Sequence, residues 1–318
     1  MSYSSRSSYI WNVVKQRILS IPHYVGELAE LRSARDLGAW VYYKWPVAFP
    51  LAAFPPYVTV ESTNACNFAC GHCWRSKMDR SVGFLDVELF RKIVVEIKGH
   101  RQITLKLGGT GEIGLHRHLN DLMATLTGLN GIRIFLYTNG TVLQKYSHHE
   151  ILDWNIDIMV VSVDGTDPDS YNKLRLGGDY FTLRRQIEEF QSLRSSLRKK
   201  APRIEIRHVI MPCETTRELI DFRRDWLKIA DAVKFNYLIP LDKNETANKS
   251  PVICRHIRRE FCIEWDGRVR FCSFYPEYLG DLHFSTIENL WNSPSANFVR
   301  ECHLRGDLDR VPACRGCI

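Results

Sequence analysis

The stretch "ESTNACNFACGHCWRSKM", from Glu61 to Met78, places Cys66, Cys70 and Cys73 in a C-x3-C-x2-C pattern. It overlaps the end of "YVTVES" (57–62), a short run rich in β-branched residues that predicts a strand. Three thiols held this closely beside a strand end indicate metal chemistry. The question is which metal centre uses three cysteines and leaves a position open.

Runs of the same kind recur along the chain and predict five further strands, at 102–107, 132–137, 157–163, 203–210 and 232–238. Helical periodicity lies between them, as in "DVELFRKIVVEIK", where Asp86 is the expected cap. This alternation is typical of βα units with a parallel sheet, arranged as a partial barrel or a wound sheet. In such sheets the loops after the strands share one functional face, and the three cysteines belong to the first of those loops.

Composition narrows the class of protein. The 318 residues are 45% hydrophobic and 25% charged, which is ordinary for a globular chain, and the net charge of +7 is too mild to indicate a nucleic-acid or membrane surface. The N-terminus lacks a secretory pattern, and four prolines interrupt the most apolar run, 45–60. We therefore expect a cytoplasmic protein with no membrane span. Ten cysteines in that compartment favour metal or redox chemistry over disulfides.

We expect three regions: a mostly helical N-terminal extension (1–55), a βα core (56–240) and a small cysteine-rich domain (241–318). The polar stretch 241–251 is the expected linker. After it, "FCIEWDGRVRFC" predicts a hairpin around an Asp266-Gly267 turn, and six of the ten cysteines follow Ile253.

The number of thiols in the first motif helps to distinguish a zinc site from an iron–sulfur cluster. A structural zinc site takes four protein ligands, whereas three thiolates suit a metal that must also bind a substrate. An iron–sulfur cubane has four irons, so three cysteines leave one iron open to a ligand.

The C-x3-C-x2-C motif after the first strand of a six-fold βα array resembles the radical SAM superfamily, in which the open iron is chelated by S-adenosylmethionine. Gly111 and Glu112 match the Gly-Glu element of that family, with Thr110 in place of its first Gly and Ile113 in place of its Pro. The later matches, each after a predicted strand, are Thr138, Asn139 and Gly140, then Ser162, Asp164 and Gly165, with Arg175 downstream.

The resemblance implies a cofactor role for each matched residue. Cys66, Cys70 and Cys73 would bind the [4Fe–4S] cluster, and the backbone of His72 would contact adenine. Glu112 would accept hydrogen bonds from the ligand ammonium group, Ser162 and Asp164 would bind ribose hydroxyls, and Arg175 would face the carboxylate. Taken singly, "TNG" and "DG" are ordinary turn sequences; the ordered set carries the resemblance.

The C-terminal cysteines resemble the SPASM domain, or its shortened twitch form, of radical SAM enzymes. The expected ligands are Cys254 and Cys272, which bracket the hairpin, and Cys314 and Cys317 of "CRGC". Four thiolates form a closed site for one auxiliary [4Fe–4S] cluster or, alternatively, a structural zinc. Cys262 and Cys302 are expected to be buried packing residues.

The implied reaction is reductive cleavage of S-adenosylmethionine to a 5′-deoxyadenosyl radical, with flavodoxin or ferredoxin as reductant, followed by hydrogen abstraction from a C–H bond. An auxiliary cluster favours dehydrogenation. Cys213, after the fifth strand, is a candidate hydrogen-atom donor for epimerisation, or else a packing residue. We expect a small hydroxylated substrate, a sugar or aminocyclitol. The alternatives are a radical SAM maturase that modifies a peptide or RNA, and a zinc-binding module without catalysis.

Overall fold

The computed structural model describes residues 50–100, 102–238, 254, 256–272, 275 and 277–314. Its strands are β1 (Tyr57–Val60), β2 (Thr104–Leu107), β3 (Arg133–Thr138), β4 (Ile158–Ser162), β5 (Arg203–Ile210), β6 (Ala232–Tyr237), β7 (Glu260–Ile263), β8 (Arg268–Arg270) and β9 (Gly280–Asp281). Its α-helices are α1 (Val87–Lys98), α2 (Leu119–Thr125), α3 (Thr141–Lys145), α4 (His148–Asp153), α5 (Pro168–Leu174), α6 (Tyr180–Ser196), α7 (Thr216–Trp226), α8 (Ile287–Trp291) and α9 (Pro294–Arg305). Short 3₁₀ turns lie at Trp74–Lys77, Ile113–Leu115, His256–Arg258, Leu308–Arg310 and Pro312–Cys314.

The strands form one sheet in the order β6-β5-β4-β3-β2-β1-β7-β8-β9. The pairs from β1 to β6 are all parallel, and the first five strands are each followed by helix, so the predicted βα array is confirmed. Local signals place the helices as expected. The Asp86 carboxylate accepts hydrogen bonds from the N–H groups of Glu88 and Leu89 and caps α1.

The two faces of the parallel sheet differ in chemistry. On one face, residues such as Val58, Leu105 and Ile206 are fully buried against the helices in the main hydrophobic core. The opposite, inner face carries the alternate residues of the same strands, many of them polar or charged: Tyr57, Thr59, Glu61, Lys106, Tyr137, Ser162, Glu205 and Arg207. Side chains point alternately to the two faces of a strand, so the pattern is a consequence of register. The interior of a closed barrel is filled by bulky apolar side chains. The polar residues on this inner face are instead suited to contact a polar molecule.

The C-terminal hairpin continues the same sheet. Strand β7 pairs in parallel with β1, from Tyr57 opposite Glu260 to Val60 opposite Ile263, while β7 and β8 pair antiparallel around the expected turn. The contact of β7 with β1 was not predicted. The region is also tied to α1, since the Glu96 carboxylate accepts a hydrogen bond of 2.6 Å from the Ile287 N–H.

The predicted division at 55 and 240 stays a prediction. Residues 1–49, which hold most of the expected helical extension, and the expected linker at 241–251 lie outside the described residues. In the described part of the chain, no helix is long and apolar enough to cross a bilayer.

Candidate active site

The three cysteines of the first motif lie together in the loop after β1. All three are partly buried, and the Cys73 N–H donates to the Cys70 carbonyl at 3.1 Å in a tight turn. Burial raises the pKa of Cys66. Burial also raises the pKa of Cys70, and with the neighbouring thiols of Cys73 and Cys66 it brings that pKa to about 11. The thiols are therefore close enough to disfavour one another's ionisation. A bound cation reverses this preference, because metal ligation takes the thiolate and releases the proton.

The donor set fits an iron–sulfur cluster by its chemistry, since three soft sulfur ligands come from one loop at the strand ends. Within the described ranges, no three Cys, His, Asp or Glu side chains are grouped so as to hold a metal ion. Within the loop, the buried Nδ1 atom of His72 has no hydrogen-bond partner, while its Nε2 atom lies 3.0 Å from Asp164. A buried polar atom of this kind is normally satisfied, so His72 is available to a ligand seated on the loop.

The loop after β2 supports the cysteine loop through its backbone. The Glu112 N–H donates to the Ala65 carbonyl at 2.7 Å. A Cβ atom at Gly111 would overlap the carbonyl oxygens of Thr63 and Ala65, so only glycine permits this approach. The predicted Gly-Glu element thus fixes the path of the chain that leads into Cys66.

The Glu112 carboxylate is almost fully buried and joins two strand-end loops. It accepts hydrogen bonds from Thr138 Oγ1 at 2.6 Å, from the Asn139 N–H at 2.6 Å and from the Gly114 N–H at 3.0 Å. Burial outweighs these donors and raises the pKa of Glu112. The expected contact between this carboxylate and the ligand ammonium stays a prediction; the observed contacts make Glu112 a brace between β2 and β3.

Asn139 connects the end of β3 to the cysteines. Its Nδ2 atom lies 3.8 Å from Cys66 Sγ and 3.2 Å from Asn67 Oδ1. The next residue, Gly140, has a φ of 102°, a left-handed conformation in which glycine is favoured, and it begins α3. The "TNG" sequence thus forms a turn that lies against the cysteine loop, and the cofactor contacts expected of Thr138 and Asn139 stay predictions.

Asp164, just past β4, is the centre of a buried ion pair. Arg175 donates to its Oδ2 atom through Nε at 2.9 Å and through a terminal nitrogen at 2.7 Å, and the Val209 N–H donates to Oδ1 at 2.7 Å. Burial alone would raise the pKa of Asp164, but Arg175 and then His72 hold it well below its usual range. Asp164, Arg175 and His72 are thus brought together. Ser162 is partly buried two residues earlier, and the ribose contacts expected of it and of Asp164 stay predictions.

Two supports of the site were missed by the sequence reading. The first is the turn after α5, where the Leu176 carbonyl accepts a hydrogen bond of 2.8 Å from the Ala69 N–H. At Gly177, whose φ is 101°, a Cβ atom would lie 2.9 Å from the Asn67 carbonyl oxygen. The Gly-Gly dipeptide was the available signal, because it marks a turn or a close approach of two backbones.

The second is an ionic network between the core and the C-terminal hairpin. Arg80 lies 2.8 Å from the Glu61 carboxylate and 2.9 Å from that of Glu264, and Arg270 lies 2.8 Å from Glu264. Tyr278 donates a further hydrogen bond of 2.9 Å to Glu264. No local pattern predicts this network, since Arg80 joins it to the core from 184 positions before Glu264.

The C-terminal cysteines are held by apolar packing. Cys254, Cys272 and Cys314 are partly buried and pack against the main core, and Cys317 lies outside the described residues. Next to Cys272, Phe271 is fully buried, with the Arg300 guanidinium 5.2 Å from its ring centroid. The donor set suits a closed four-thiolate site, and the fourth ligand stays a prediction.

The remaining cysteines differ in exposure. Cys213 is exposed in the turn between β5 and α7, on the side where the parallel strands end. Cys302 is buried, whereas Cys262 is partly buried on β7, with its Sγ atom 3.6 Å from the Phe271 carbonyl. Burial raises the pKa of Cys262 well above its ordinary value, with further contributions from Glu260 and Cys272.

Comparison with known families gives two matches. Residues 60–225, more than half of the chain, match the model of the radical SAM superfamily. Residues 254–318 match SPASM, an iron–sulfur cluster-binding domain. The matched segments cover all seven of the predicted cluster ligands.

Among relatives, the chain is 25% identical to the tungsten-containing aldehyde ferredoxin oxidoreductase cofactor-modifying protein of Pyrococcus furiosus, over 82% of this chain and 94% of the relative. Among solved structures, it is similar to Streptococcus suis SuiB bound to precursor peptide SuiA, with a TM-score of 0.61 and 13% identity over 84% of this chain and 70% of that one. It is also similar to BtrN in complex with AdoMet and 2-DOIA, with a TM-score of 0.54 and 16% identity over 82% and 92%. These two likenesses show the fold, a partial (β/α)₆ barrel with a C-terminal cysteine-rich domain, as predicted.

Proposed function

The chain belongs to the radical SAM superfamily and carries a SPASM domain, and from this premise we propose that it oxidises a small hydroxylated substrate of the sugar or aminocyclitol class. Its cofactors are a [4Fe–4S] cluster that binds S-adenosylmethionine and an auxiliary cluster. When bound, they supply the electron that cleaves S-adenosylmethionine to methionine and a 5′-deoxyadenosyl radical, the hydrogen-abstracting species, and an acceptor for the electron that the substrate loses.

The observation that carries the proposal is the polar inner face of the sheet. It begins next to the cysteine loop at Glu61 and reaches Ser162 and Arg207 on β4 and β5, so hydroxyl groups would meet hydrogen-bonding side chains on several strands. An apolar substrate would take water away from these groups without hydrogen bonding to them, at a cost of several kcal/mol in all.

The residues of the site have separate tasks in this proposal. Cys66, Cys70 and Cys73 would hold the first cluster, and Cys254, Cys272, Cys314 and Cys317 the second. Glu112 and Gly111 position the cysteine loop, while Asp164 and Arg175 form a fixed charge pair beside it.

Oxidation of an alcohol carbon to a carbonyl removes two hydrogens, which gives a direct test. Anaerobically reconstituted protein is incubated with S-adenosylmethionine, a reductant and a panel of sugars and aminocyclitols, and the products are weighed by mass spectrometry. We expect a product two mass units lighter than the substrate, formed together with 5′-deoxyadenosine. Cleavage of S-adenosylmethionine with every substrate recovered unchanged would contradict the proposal.

Epimerisation is the second candidate, and it is favoured by one observation, the exposed Cys213 thiol at the carboxyl end of β5. An epimerase would donate a solvent-exchangeable hydrogen to the substrate radical. Turnover in deuterated water would then add one deuterium at the inverted carbon, and Cys213→Ala would stop turnover while 5′-deoxyadenosine still forms. Under the favoured oxidation, the variant stays active and no C–H position gains deuterium.

A further inference from the structure

Three histidines are buried in the described part of the chain, and their ring nitrogens are not equally satisfied. In His116 and in His208, both nitrogens lie within 3.1 Å of a backbone or carboxylate group that hydrogen bonds to them. His303 is only 4% exposed, yet its buried Nε2 atom has no hydrogen-bond partner. Because a buried polar atom is normally paired, an unpaired one indicates a water, an ion or a cofactor group beside it.

His303 lies near the middle of the buried face of α9. The other buried side chains of this helix are Ala296, Val299, Arg300 and Cys302. With 3.6 residues per turn of an α-helix, His303 falls between Val299 on one side and Arg300 on the other. The contacts of these two flanking residues therefore indicate which segments His303 faces.

Arg300 lies against the segments that carry Cys254 and Cys272. Its Nε atom donates a hydrogen bond of 2.9 Å to the carbonyl of Ile257, which follows shortly after Cys254. Its guanidinium is also 5.2 Å from the ring centroid of Phe271, the residue before Cys272. The segments of two predicted auxiliary ligands thus lie on this side of α9.

Val299 faces the segments that carry Cys272 and Cys314. It lines a groove together with Tyr275, whose N–H donates to the Cys272 carbonyl at 3.1 Å. Burial raises the pKa of Tyr275, and the nearby thiols of Cys314 and Cys302 add to this effect. The third predicted ligand, Cys314, thus lies on this side of the helix.

The segments on both sides of His303 therefore carry the three predicted auxiliary ligands that the structure describes. Burial lowers the pKa of His303, so its ring is neutral at pH 7 and one nitrogen carries a hydrogen. With that hydrogen on Nε2, the ring donates a hydrogen bond. Hydrogen bonds to the sulfurs are one of the factors that set the reduction potential of an iron–sulfur cluster.

We propose that His303 donates a hydrogen bond from Nε2 to a sulfur atom of the auxiliary cluster and thereby raises the reduction potential of that cluster. Reduction adds one negative charge to the cluster, so a donor directed at sulfur stabilises the reduced state more than the oxidised state. The placement of His303 does not depend on the substrate. Its benefit to catalysis rests on the proposed function, in which this cluster accepts the electron that the substrate loses.

The hydrogen bond is tested first by pulsed electron paramagnetic resonance on full-length protein labelled with ¹⁵N-histidine. The variant with Cys66→Ala, Cys70→Ala and Cys73→Ala is used because it lacks the ligands of the first cluster, so that the signal comes from the auxiliary cluster. We expect a weak coupling between the reduced cluster and an imidazole nitrogen, and its loss when His303→Phe is added. No coupling, or one as strong as that of an imidazole bound directly to iron, would overturn the inference.

Variants of the holoenzyme then measure the reduction potential by redox titration. His303→Phe keeps a ring but has no N–H group, and we expect reduction of the auxiliary cluster to become about tenfold less favourable, which is about 59 mV for one electron. His303→Gln retains an N–H donor and should recover part of this shift. His283→Gln is the matched control, since His283 is half-exposed in the same region and its replacement should leave the potential unchanged.

A wild-type potential in an iron-loaded His303→Phe variant would overturn the inference. Equal shifts in the Phe and Gln variants would also overturn it, because they would reflect packing alone. Iron counting verifies loading, and if His303→Phe loses its iron, the nitrogen coupling in protein that retains His303 decides. The potential is measured without substrate, so an observed shift together with failure to oxidise any substrate would reject the proposed function and keep the role of His303.

Discussion

The two cysteine regions of this chain are stabilised in different ways. The loop with Cys66 is held by contacts from four other loops that follow β2, β3, β4 and α5, through backbone hydrogen bonds, glycine approaches and buried ions. The region with Cys272 is held by a hairpin and by apolar packing around Phe271. The first therefore depends on the identity of single residues far apart in sequence, and the second on the volume and shape of a local core.

Replacement of the predicted cluster ligands should have the largest effect on the two cysteine regions. Replacing Cys66, Cys70 and Cys73 together by Ala should abolish 5′-deoxyadenosine formation and leave about four irons, the content of one cubane. Replacing Cys254, Cys272 and Cys314 together should remove the other cubane and leave the first assembled. Iron counting and quantification of 5′-deoxyadenosine check both. Loss of all iron from either variant would show that the two sites do not assemble independently.

Asp164→Asn should have the next largest effect, a loss of roughly 3–5 kcal/mol in the free energy of unfolding, because it leaves Arg175 buried without its countercharge. The lowered pKa of Asp164 also predicts a pH dependence. Its stabilising contribution is complete above pH ~4, where the unfolded carboxyl is ionised, and is lost as the pH falls toward the folded-state value. The free energy of unfolding, measured by chemical denaturation from about pH 7 to about pH 3, should therefore decline less steeply with falling pH for the variant than for the wild type.

Gly111→Ala should act on the first region alone. The added methyl group would overlap two backbone carbonyls of the cysteine loop, and overpacking of this kind costs about 1–3 kcal/mol. We expect reduced iron occupancy and 5′-deoxyadenosine formation, with the auxiliary cluster retained. Gly99→Ala is the control, because its Cβ atom would meet nothing closer than 3.6 Å. Equal behaviour of the two variants would contradict the close approach at Gly111.

Phe271→Leu should act on the second region with the smallest effect. Leucine fills less of the packed site than phenylalanine and leaves a small cavity, at a cost of about 1–2 kcal/mol, and the change also shifts the residue that precedes Cys272. We expect partial loss of iron from the auxiliary site and unchanged iron at the first. Phe284→Leu is the matched control, since Phe284 is 90% exposed in the same region. Loss of iron from the first site in Phe271→Leu would mean that the two regions are coupled.

Much of this architecture was predictable from local patterns. The six parallel strands follow β-branched runs, α1 starts at Asp86, and the hairpin turns at Asp266-Gly267, because each is specified within about ten residues. The order of the motifs also predicted which residues gather near Cys66. The Arg80 network, the pairing of β7 with β1 and the brace role of Glu112 were not predictable, because each depends on which distant segments become neighbours.

The pairing of β7 with β1 has a consequence for how the protein is made. Strand β1 pairs on one side with β2, some fifty residues later, and on the other with residues about two hundred positions downstream. During synthesis on the ribosome, that second edge stays open until residues 260–263 have emerged, and an open strand edge is a template for mispairing. Parallel pairing over such a distance is slow to form. The cysteine loop that extends β1 takes its own contacts from residues that precede α6, so it can reach its final conformation while the outer edge of the strand that carries it is still unpaired.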